Sequence, residues 1–372
     1  MQTITLSRRN NQWSQALPLL DSATTLILAF AARSYEQDTA LWQELQKTYP
    51  NSLIAGCSTA GEILGDMVYD DTISLAIVAF KNTPLKFAAT PVGKEAGKVI
   101  AQQLNDPTLT AVLVLSDGLN INGSELVAGL LSELDSRVIV TGGLAGDGAD
   151  FSRTWTLVNG QPQQGMVTAV GFYGDSIKVS FGSKGGWDLF GPERLVTKST
   201  QNTVYELDNQ PALRLYKEYL GELAVDLPAS GLMFPLALKT PDSEEPVVRT
   251  LLAINEADQS LIFAGDIPQG STTQLMRANF DRLIDGAAQA AEQTNVANKV
   301  NNHYLSIAIS CVGRKLILKE RIDEEVEATL EVLPANTQQL GFYSYGELSP
   351  TGSLSCRLHN QTMTLTLMSE PD

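Results

Sequence analysis

The chain has 372 residues, of which 43% are hydrophobic and 18% charged, so it can form two or three globular domains and is too apolar to stay disordered. Its net charge of −16 argues against nucleic acid or an anionic membrane as a partner, because both require clustered Lys and Arg. No window reaches the roughly 18 apolar residues of a membrane span, and the amino terminus has no apolar signal region, so a cytoplasmic protein is expected.

The cysteine and histidine content restricts the chemistry that the chain can perform. Cys57, Cys311 and Cys356 are an odd number of cysteines, far apart, without the CxxC or HxxxH spacing of a zinc or dithiol site. The two histidines are His303 and His359, and any Ser-His-Asp, Cys-His or multi-His metal centre would have to use one of them. We therefore expect that the protein is not an enzyme.

The first predicted unit covers about residues 20–105. A run of β-branched and aliphatic residues, Thr25 to Phe30, predicts a strand, and "DTALWQELQKTY" has the periodicity of a helix. A second apolar strand then runs into "GCSTAGEI", and two more strands follow. Strand, helix and strand in this order predict a parallel pair with a right-handed crossover, to which the later strands add antiparallel partners.

The second predicted unit covers about residues 106–200 and repeats the first. "TAVLVLSD", "VIVTGGLAGDG" and "VTAVGFYGDSIKVSFGSKG" follow in the same order with similar spacing. Gly56 aligns with Gly142, and Phe80 aligns with Phe172. The chain therefore begins with an internally duplicated domain, predicted to span residues 1–225.

The pattern changes beyond Trp187 and predicts a second α/β domain at residues 226–372. Strand-like runs are followed by a helix over about residues 272–292, and "YLSIAISCVGRKLIL" reads as a buried strand. "RIDEEVEATLEVL" reads as an amphipathic helix, and the closing segment as strands. The predicted fold class is mixed α+β, with mixed sheets in both domains.

These motifs together resemble the FIST sensory-domain family over nearly the whole chain. "GCSTAGEI" and "GGLAGD" are similar to the glycine clusters of the FIST N domain, whereas the FIST C domain is resembled by "VVRTLLAI", "SCVGRKLIL", "GFYSYGELSP" and "LHNQTMTLTL". The resemblance implies a signal-input module that binds a small ligand, with amino acids often proposed. Because the two FIST halves use up the length, it also implies a separate partner such as a histidine kinase, a cyclase or a chemoreceptor.

The glycine clusters are the first candidate ligand site. Ligands of open α/β sheets bind at the carboxyl ends of parallel strands, where helix amino termini and free backbone N–H groups converge. Alternatively, the small residues only allow close packing between the two units. The candidates from the two clusters and the loop before the second helix are Cys57, Ser58, Thr59, Gly61, Asp117, Gly142, Gly143 and Asp147.

Cys57 is a candidate for lining this site rather than for catalysis. A cysteine nucleophile needs a base and an oxyanion site, and no histidine lies nearby in the sequence. The second unit has Gly143 at the aligned position, so the repeat itself does not require a thiol. A buried structural cysteine is the alternative.

The second half supplies the remaining candidates. Arg249 lies inside an apolar run and needs a carboxylate, either that of Glu347 or that of a ligand. Arg314 follows a predicted strand and a glycine, a suitable place for binding a carboxylate. Tyr343 and Tyr345 lie on one face if their segment is a strand, and together with Glu347 they either bracket a small zwitterion or form a structural pair.

Haem is the alternative that the resemblance brings, because some members are similar to nitric-oxide-sensing haem proteins that regulate histidine kinases or cyclic-di-GMP enzymes. Haem requires an axial ligand and a large apolar cavity, and only His303 and His359 offer an imidazole. The chain has no CxxCH attachment motif. The sequence thus predicts a non-catalytic sensor of a small polar ligand such as an amino acid, with a haem-based nitric oxide sensor as the alternative.

Overall fold

The structure is a computed structural model that describes residues 1–240, 243–295, 303–352 and 355–371. Within these residues the strands form four sheets, and the predicted mixed α+β class with mixed sheets is confirmed. Among the described helices, none has both the length and the apolar character needed to cross a membrane.

The first unit is built around strands that are buried on both faces. Its elements are β1 (Gln2–Arg9), β2 (Gln12–Trp13), β3 (Thr25–Ala32), α1 (Thr39–Thr48), β4 (Leu53–Thr59), β5 (Glu62–Leu64), β6 (Met67–Tyr69) and β7 (Ile73–Ala79). The strand β3 pairs with β4 in parallel and with β7 in antiparallel orientation, as predicted. The side chain of Asp38 caps α1 by accepting a hydrogen bond from the N–H of Leu41, and α1 buries Leu41, Trp42 and Leu45.

The second unit repeats this arrangement, in line with the predicted duplication of the fold, but it includes residues 85–104, which the sequence analysis assigned to the first unit. Its elements are β8 (Leu85–Pro91), α2 (Ala96–Leu104), β9 (Leu109–Ser116), α3 (Gly123–Glu133), β10 (Ile139–Leu144), β11 (Thr156–Val158), β12 (Gln161–Gln163) and β13 (Met166–Tyr173). The strands β9 and β10 are parallel, and β13 lies antiparallel between β9 and β8. Asn122 caps α3 by accepting from two backbone N–H groups of the first turn.

A separate eight-stranded sheet follows β14 (Lys178–Lys184). Its strands are β15 (Asp188–Thr200), β16 (Thr203–Leu207), β17 (Gln210–Pro211), β18 (Leu236–Thr240), β19 (Ser243–Arg249), β20 (Leu251–Asn255), β21 (Ser260–Phe263) and β22 (Thr272–Arg277). The helix α4 (Ala212–Leu220) follows β17 in the chain. We call residues 188–277 the inserted sheet. The predicted domain division at residue 225 lies within it, in the 3-10 turn Gly221–Asp226, and stays a prediction.

The end of the chain forms a third copy of the unit, together with β14. Its further elements are α5 (Phe280–Gln293), β23 (Tyr304–Cys311), α6 (Val312–Leu318), α7 (Ile322–Val332), β24 (Thr337–Ser344), β25 (Gly346–Pro350), β26 (Cys356–His359) and β27 (Met363–Ser369). The strands β23 and β24 are parallel, and β27 lies antiparallel between β23 and β14. The sequence analysis did not detect this copy.

Two predicted elements of this region were wrong in extent. The helix predicted over residues 272–292 begins only at Phe280, because the preceding residues form β22 and Asn279 caps α5. The strand predicted through "YLSIAISCVGRKLIL" ends at Cys311, and α6 follows it directly. Both errors arise because a short apolar run does not distinguish a buried strand from a buried helix.

The three units exchange hairpins in a closed cycle. The hairpin of β11 and β12 pairs with β4 of the first unit, that of β25 and β26 with β10 of the second, and that of β5 and β6 with β24 of the third. Each hairpin thus completes the sheet of another unit. The register partners are Cys57 with Thr156, Gly143 with Glu347, and Phe342 with Glu62.

One glycine position recurs in all three units. Gly56, Gly142 and Gly341 each lie opposite a residue of the neighbouring parallel strand. A Cβ at any of them would overlap the carbonyl oxygen of that partner, which leaves no room for a side chain. The partners are Ala29, Val114 and Ala308, respectively.

Candidate ligand-binding site

The glycine turns predicted as a ligand cradle meet at the centre of the three units. The N–H of Ala60 donates to the carbonyl of Tyr343 at 2.8 Å, and the N–H of Gly146 donates to the carbonyl of Ser58 at 3.0 Å. The N–H of Tyr345 donates to the carbonyl of Leu144 at 3.1 Å and closes the ring. These donors are therefore matched between units, and the ligand-binding role of Cys57, Ser58, Thr59, Gly61, Gly142 and Gly143 stays a prediction.

Cys57 faces the apolar centre of the molecule. Its side chain is fully buried in a cluster with Phe30 and Phe342, whose rings are 4.7 Å apart. Burial raises the pKa of the Cys57 thiol well above 9. Since the thiolate is the reactive form, this position favours a structural thiol.

Two buried glutamates occupy equivalent positions, Glu62 in the first unit and Glu347 in the third. Glu62 accepts hydrogen bonds from the hydroxyl of Thr59 and from the N–H and hydroxyl of Thr72, the last two at 2.9 and 2.7 Å. Glu347 accepts from the hydroxyl of Ser344 at 2.7 Å and from the N–H of Thr362 at 3.3 Å. Burial raises the pKa of Glu62 to about 7 and that of Glu347 to about 8.

The stability of the protein is expected to fall as the pH rises, in part because of Glu62. Its pKa is 4.5 when exposed and about 7 in the fold, so between these values the native state binds more protons than the unfolded state. The substitution Glu62→Gln should flatten this slope, as measured by denaturant unfolding at a series of pH values. Equal slopes for wild type and Glu62→Gln would contradict this assignment.

Asp147 and Tyr345 fix the loop that connects β10 with β11. The hydroxyl of Tyr345 donates to Asp147, whose other carboxylate oxygen accepts from the N–H groups of Ser152 and Arg153 at 2.9 and 2.8 Å. Phe151 stacks on Tyr345 with ring centroids 4.5 Å apart. Burial alone would raise the pKa of Asp147, but these hydrogen bonds hold it below its usual value.

Asp117 organises the loop that precedes α3. One carboxylate oxygen accepts from the N–H groups of Leu119 and Asn120 at 2.9 and 2.7 Å. The other accepts from the hydroxyl of Thr154 at 3.0 Å. The structure thus gives Asp117 the contacts of a turn residue.

Arg314 and Tyr343 belong to a buried polar cluster of the third unit. The Nε of Arg314 donates to Glu325 at 2.6 Å, and Glu325 also accepts from the hydroxyls of Ser310 and Tyr343 at 2.8 and 2.9 Å. Both members of the ion pair are fully buried. The other nitrogens of Arg314 donate to the carbonyls of Gly185, Leu283 and Gln361.

Arg249 is satisfied by carbonyl oxygens rather than by Glu347. Its guanidinium donates to the carbonyls of Asp266 and Val248, both at 3.1 Å, and to that of Leu358 at 3.0 Å. Burial lowers the pKa of Arg249 to about 10. These contacts join the inserted sheet to β26, and a ligand role of Arg249 stays a prediction.

A cleft of about 1210 Å³ lies between the third unit and the inserted sheet. One wall is polar and comes from α5, which presents Arg282, Asp285, Gln289 and Gln293 along one face. The opposite wall is an apolar face of the inserted sheet, formed by Leu189, Ala237, Val248 and Met276. Residues of β14 and of the hairpin of β25 and β26 complete the cleft.

The predicted residues Arg314 and Glu347 lie directly behind the cleft. Arg314 donates to the carbonyl of Gly185, and Glu347 accepts from the N–H of Thr362; both Gly185 and Thr362 line the cleft. Of the predicted candidates within the described residues, only His359 lines the cleft itself. The sequence analysis did not select Lys184, which lines the cleft. Its glycine-rich stretch "GSKGGW" at the end of a strand is typical of a junction between units, where ligand sites often lie.

The two histidines differ in their surroundings, and an axial haem role of either one stays a prediction, since metal-bound histidines are likewise neutral and donate their other N–H to a carbonyl or carboxylate. His359 is buried, and its Nε2 lies 3.0 Å from the carbonyl of Ser349, which can only accept, so this nitrogen carries the proton. Burial lowers the pKa of His359 to about 4, and the ring is therefore neutral. His303 is exposed at the start of β23 and is not among the residues that line the cleft.

Three hairpin-exchanging units and the inserted sheet enclose the cleft. Within the described residues no group of three or more His, Cys, Asp and Glu side chains could hold a metal ion. The chain matches the FIST N domain over residues 25–210 and the FIST C domain over residues 212–350. It therefore belongs to the FIST family, whose domains are sensory, non-catalytic domains of signalling proteins. No protein with a curated description matches the chain.

Proposed function

We propose that the protein is a cytoplasmic, non-catalytic sensor that binds a small polar ligand, such as an amino acid or a similar metabolite, in the cleft between the third unit and the inserted sheet. The cleft carries this proposal because it lies between two separately built parts of the molecule and combines an apolar wall with a polar one. Sites of this composition at the junction between two parts of a protein are typical of small-molecule binding.

The contacts behind the cleft supply a route from the ligand to the rest of the molecule. Arg314 joins the cleft residue Gly185 to α5, through Leu283, and to α7, through Glu325. A ligand that changes the separation of the walls would act on Arg314 first. The state of the cleft would then reach a separate partner, such as a histidine kinase, a cyclase or a chemoreceptor, through the outer surface of these helices.

A substitution that fills the cleft is expected to abolish ligand binding without unfolding the protein. Leu189 lines the cleft and is 57% exposed, so Leu189→Trp adds volume there without disturbing the core. A bound ligand at 100 times its dissociation constant should stabilise the wild type by about 2.7 kcal/mol in a thermal-shift screen of amino acids and other metabolites, and the variant should not respond.

The control is Leu252→Trp, at a residue of β20 that is 47% exposed and does not line the cleft. This variant should respond to the ligand as the wild type does. If Leu189→Trp retained the full stabilisation, the ligand would bind elsewhere, and if no screened compound stabilised the wild type, the ligand proposal would lose its support.

A further inference from the structure

One long side of the cleft is the edge of β14. Within the described residues β14 pairs only with β27, so it is the last strand of its sheet. Successive side chains of a strand point to opposite faces. Both sets line the cleft, with Val179, Phe181 and Ser183 from one face and Ser180 and Lys184 from the other. The cleft therefore runs along the strand edge itself.

Part of the backbone of this edge is available for hydrogen bonding, on the amino-terminal side of Ser183. The N–H of Ser183 points away from β27, because it donates to the side chain of Gln293 at 2.9 Å. Hydrogen-bonding directions alternate along a strand, so the N–H and C=O groups of Phe181 and Val179 point to the same side. The edge thus presents a row of donors and acceptors to the cleft.

The first unit shows how such an edge is filled. Arg8 of β1 is the equivalent of Lys184 of β14. Arg8 pairs with Ile73, the first residue of β7, and Lys184 pairs with Met363, the first residue of the equivalent strand β27. In the first unit the chain's own β2 pairs with this edge, with Trp13 opposite Arg8. The same position in the third unit faces the cleft.

From this geometry we propose that the ligand of the cleft is an extended peptide of about five residues, the usual length of a strand, which adds to the edge of β14. This inference rests on the proposed function and names its ligand class. Alternate side chains of the peptide would lie against the apolar face made by Leu189, Ala237, Val248 and Met276, and the others would face the polar wall of α5. The amides of Gln289 and Gln293 on α5 suit a peptide backbone.

The charges of the cleft favour a peptide with a free carboxyl terminus. Among the described residues, the charged side chains that line the cleft are those of Lys184, Arg282 and Asp285. Arg282 already pairs with Asp188 at 2.8 Å, whereas Lys184 forms no ion pair with another described residue. Lys184 lies at the end of β14 and binds the carboxylate.

The test is binding of a pentapeptide library with apolar residues at alternate positions and free carboxyl termini, measured by thermal shift and calorimetry. The key variant is Phe181→Pro, which removes an N–H that points into the cleft and leaves the ladder to β27 intact, as edge strands allow. Phe181→Ala is its matched control, since it removes the same side chain and keeps the N–H. We expect Phe181→Pro to bind peptide roughly tenfold more weakly than Phe181→Ala, in line with one lost backbone hydrogen bond.

Two further measurements keep the test independent of how well the proline variant folds. Peptides methylated on alternate backbone nitrogens should fail to bind the wild type. The variant Lys184→Gln should weaken binding of free-acid peptides but not of their amides. If free amino acids stabilise wild type and Phe181→Pro equally while no peptide binds, the peptide inference is overturned and the proposed function stands; if neither class stabilises the wild type, both fail.

Discussion

Replacing Arg314 with alanine is expected to lower the free energy of unfolding by about 3–5 kcal/mol. The substitution leaves the carboxylate of Glu325 fully buried without its cation, and it removes the donors to the carbonyls of Gly185, Leu283 and Gln361. An unpaired buried charge and unsatisfied buried acceptors both cost free energy. Denaturant unfolding followed by circular dichroism measures the loss.

The double variant Arg314→Met and Glu325→Leu separates the ion pair from the rest of the contacts. Removing both charges together avoids the uncompensated carboxylate, so this variant should be more stable than Arg314→Ala alone. An Arg314→Ala protein as stable as the wild type would show that the buried pair and its carbonyl contacts contribute nothing to the fold. Reduced ligand binding in the double variant would place Arg314 on the route from the cleft.

Replacing Gly142 with alanine is expected to destabilise the protein by about 3 kcal/mol or more, since the added atom overlaps the backbone of β9. The backbone of Gly142 also has a φ of +144°, which side-chain-bearing residues rarely adopt. The strand pair would have to separate at this point, and with it the centre of the three units. Thermal unfolding of the purified variant measures the effect.

Gly56→Ala and Gly341→Ala should show losses of similar size, because the three positions are equivalent. The matched control is Gly93→Ala, where no atom lies within 4 Å of the added methyl group and the backbone angle is ordinary. Its stability should change by no more than about 0.5 kcal/mol. A mild effect at Gly142 together with large effects at the other two would contradict the equivalence of the units.

The sequence predicted the two copies of the unit that lie next to each other in the chain. Gly56 and Gly142 are found by alignment because their units have nearly the same spacing of strands, helix and glycines. The third copy escapes this comparison because the inserted sheet separates β14 from α5, and because α6 and α7 connect its parallel strands, where the other units have one helix each, α1 and α3. Its glycine, Gly341, opens the motif "GFYSYGEL", which shares with "GCSTAGEI" only the first glycine, the Gly-Glu pair and the final aliphatic residue.

The contacts of the candidate site could also be predicted from the sequence only in part. Arg249 was correctly read as a buried charge that needs partners, but the sequence favoured a carboxylate, and the partners are carbonyl groups that no residue pattern reveals. Leu189 and Gln293 are separated in the sequence by most of the inserted sheet and α5, so only the fold places them on opposite walls of the cleft. The motifs of the glycine turns mark close packing between units as well as they mark a ligand site.

The cyclic exchange of hairpins has a consequence for how the chain reaches its native state during synthesis. The sheet of the first unit is complete only when β11 of the second unit pairs with β4. The first unit's own hairpin, β5 and β6, finds its partner only when β24 of the third unit has been made. Even the amino-terminal ammonium group of Met1 lies beside Glu370. During synthesis the strand edges of the first unit therefore stay unpaired until β11 and β24 have been made, and such edges are open to aggregation until then.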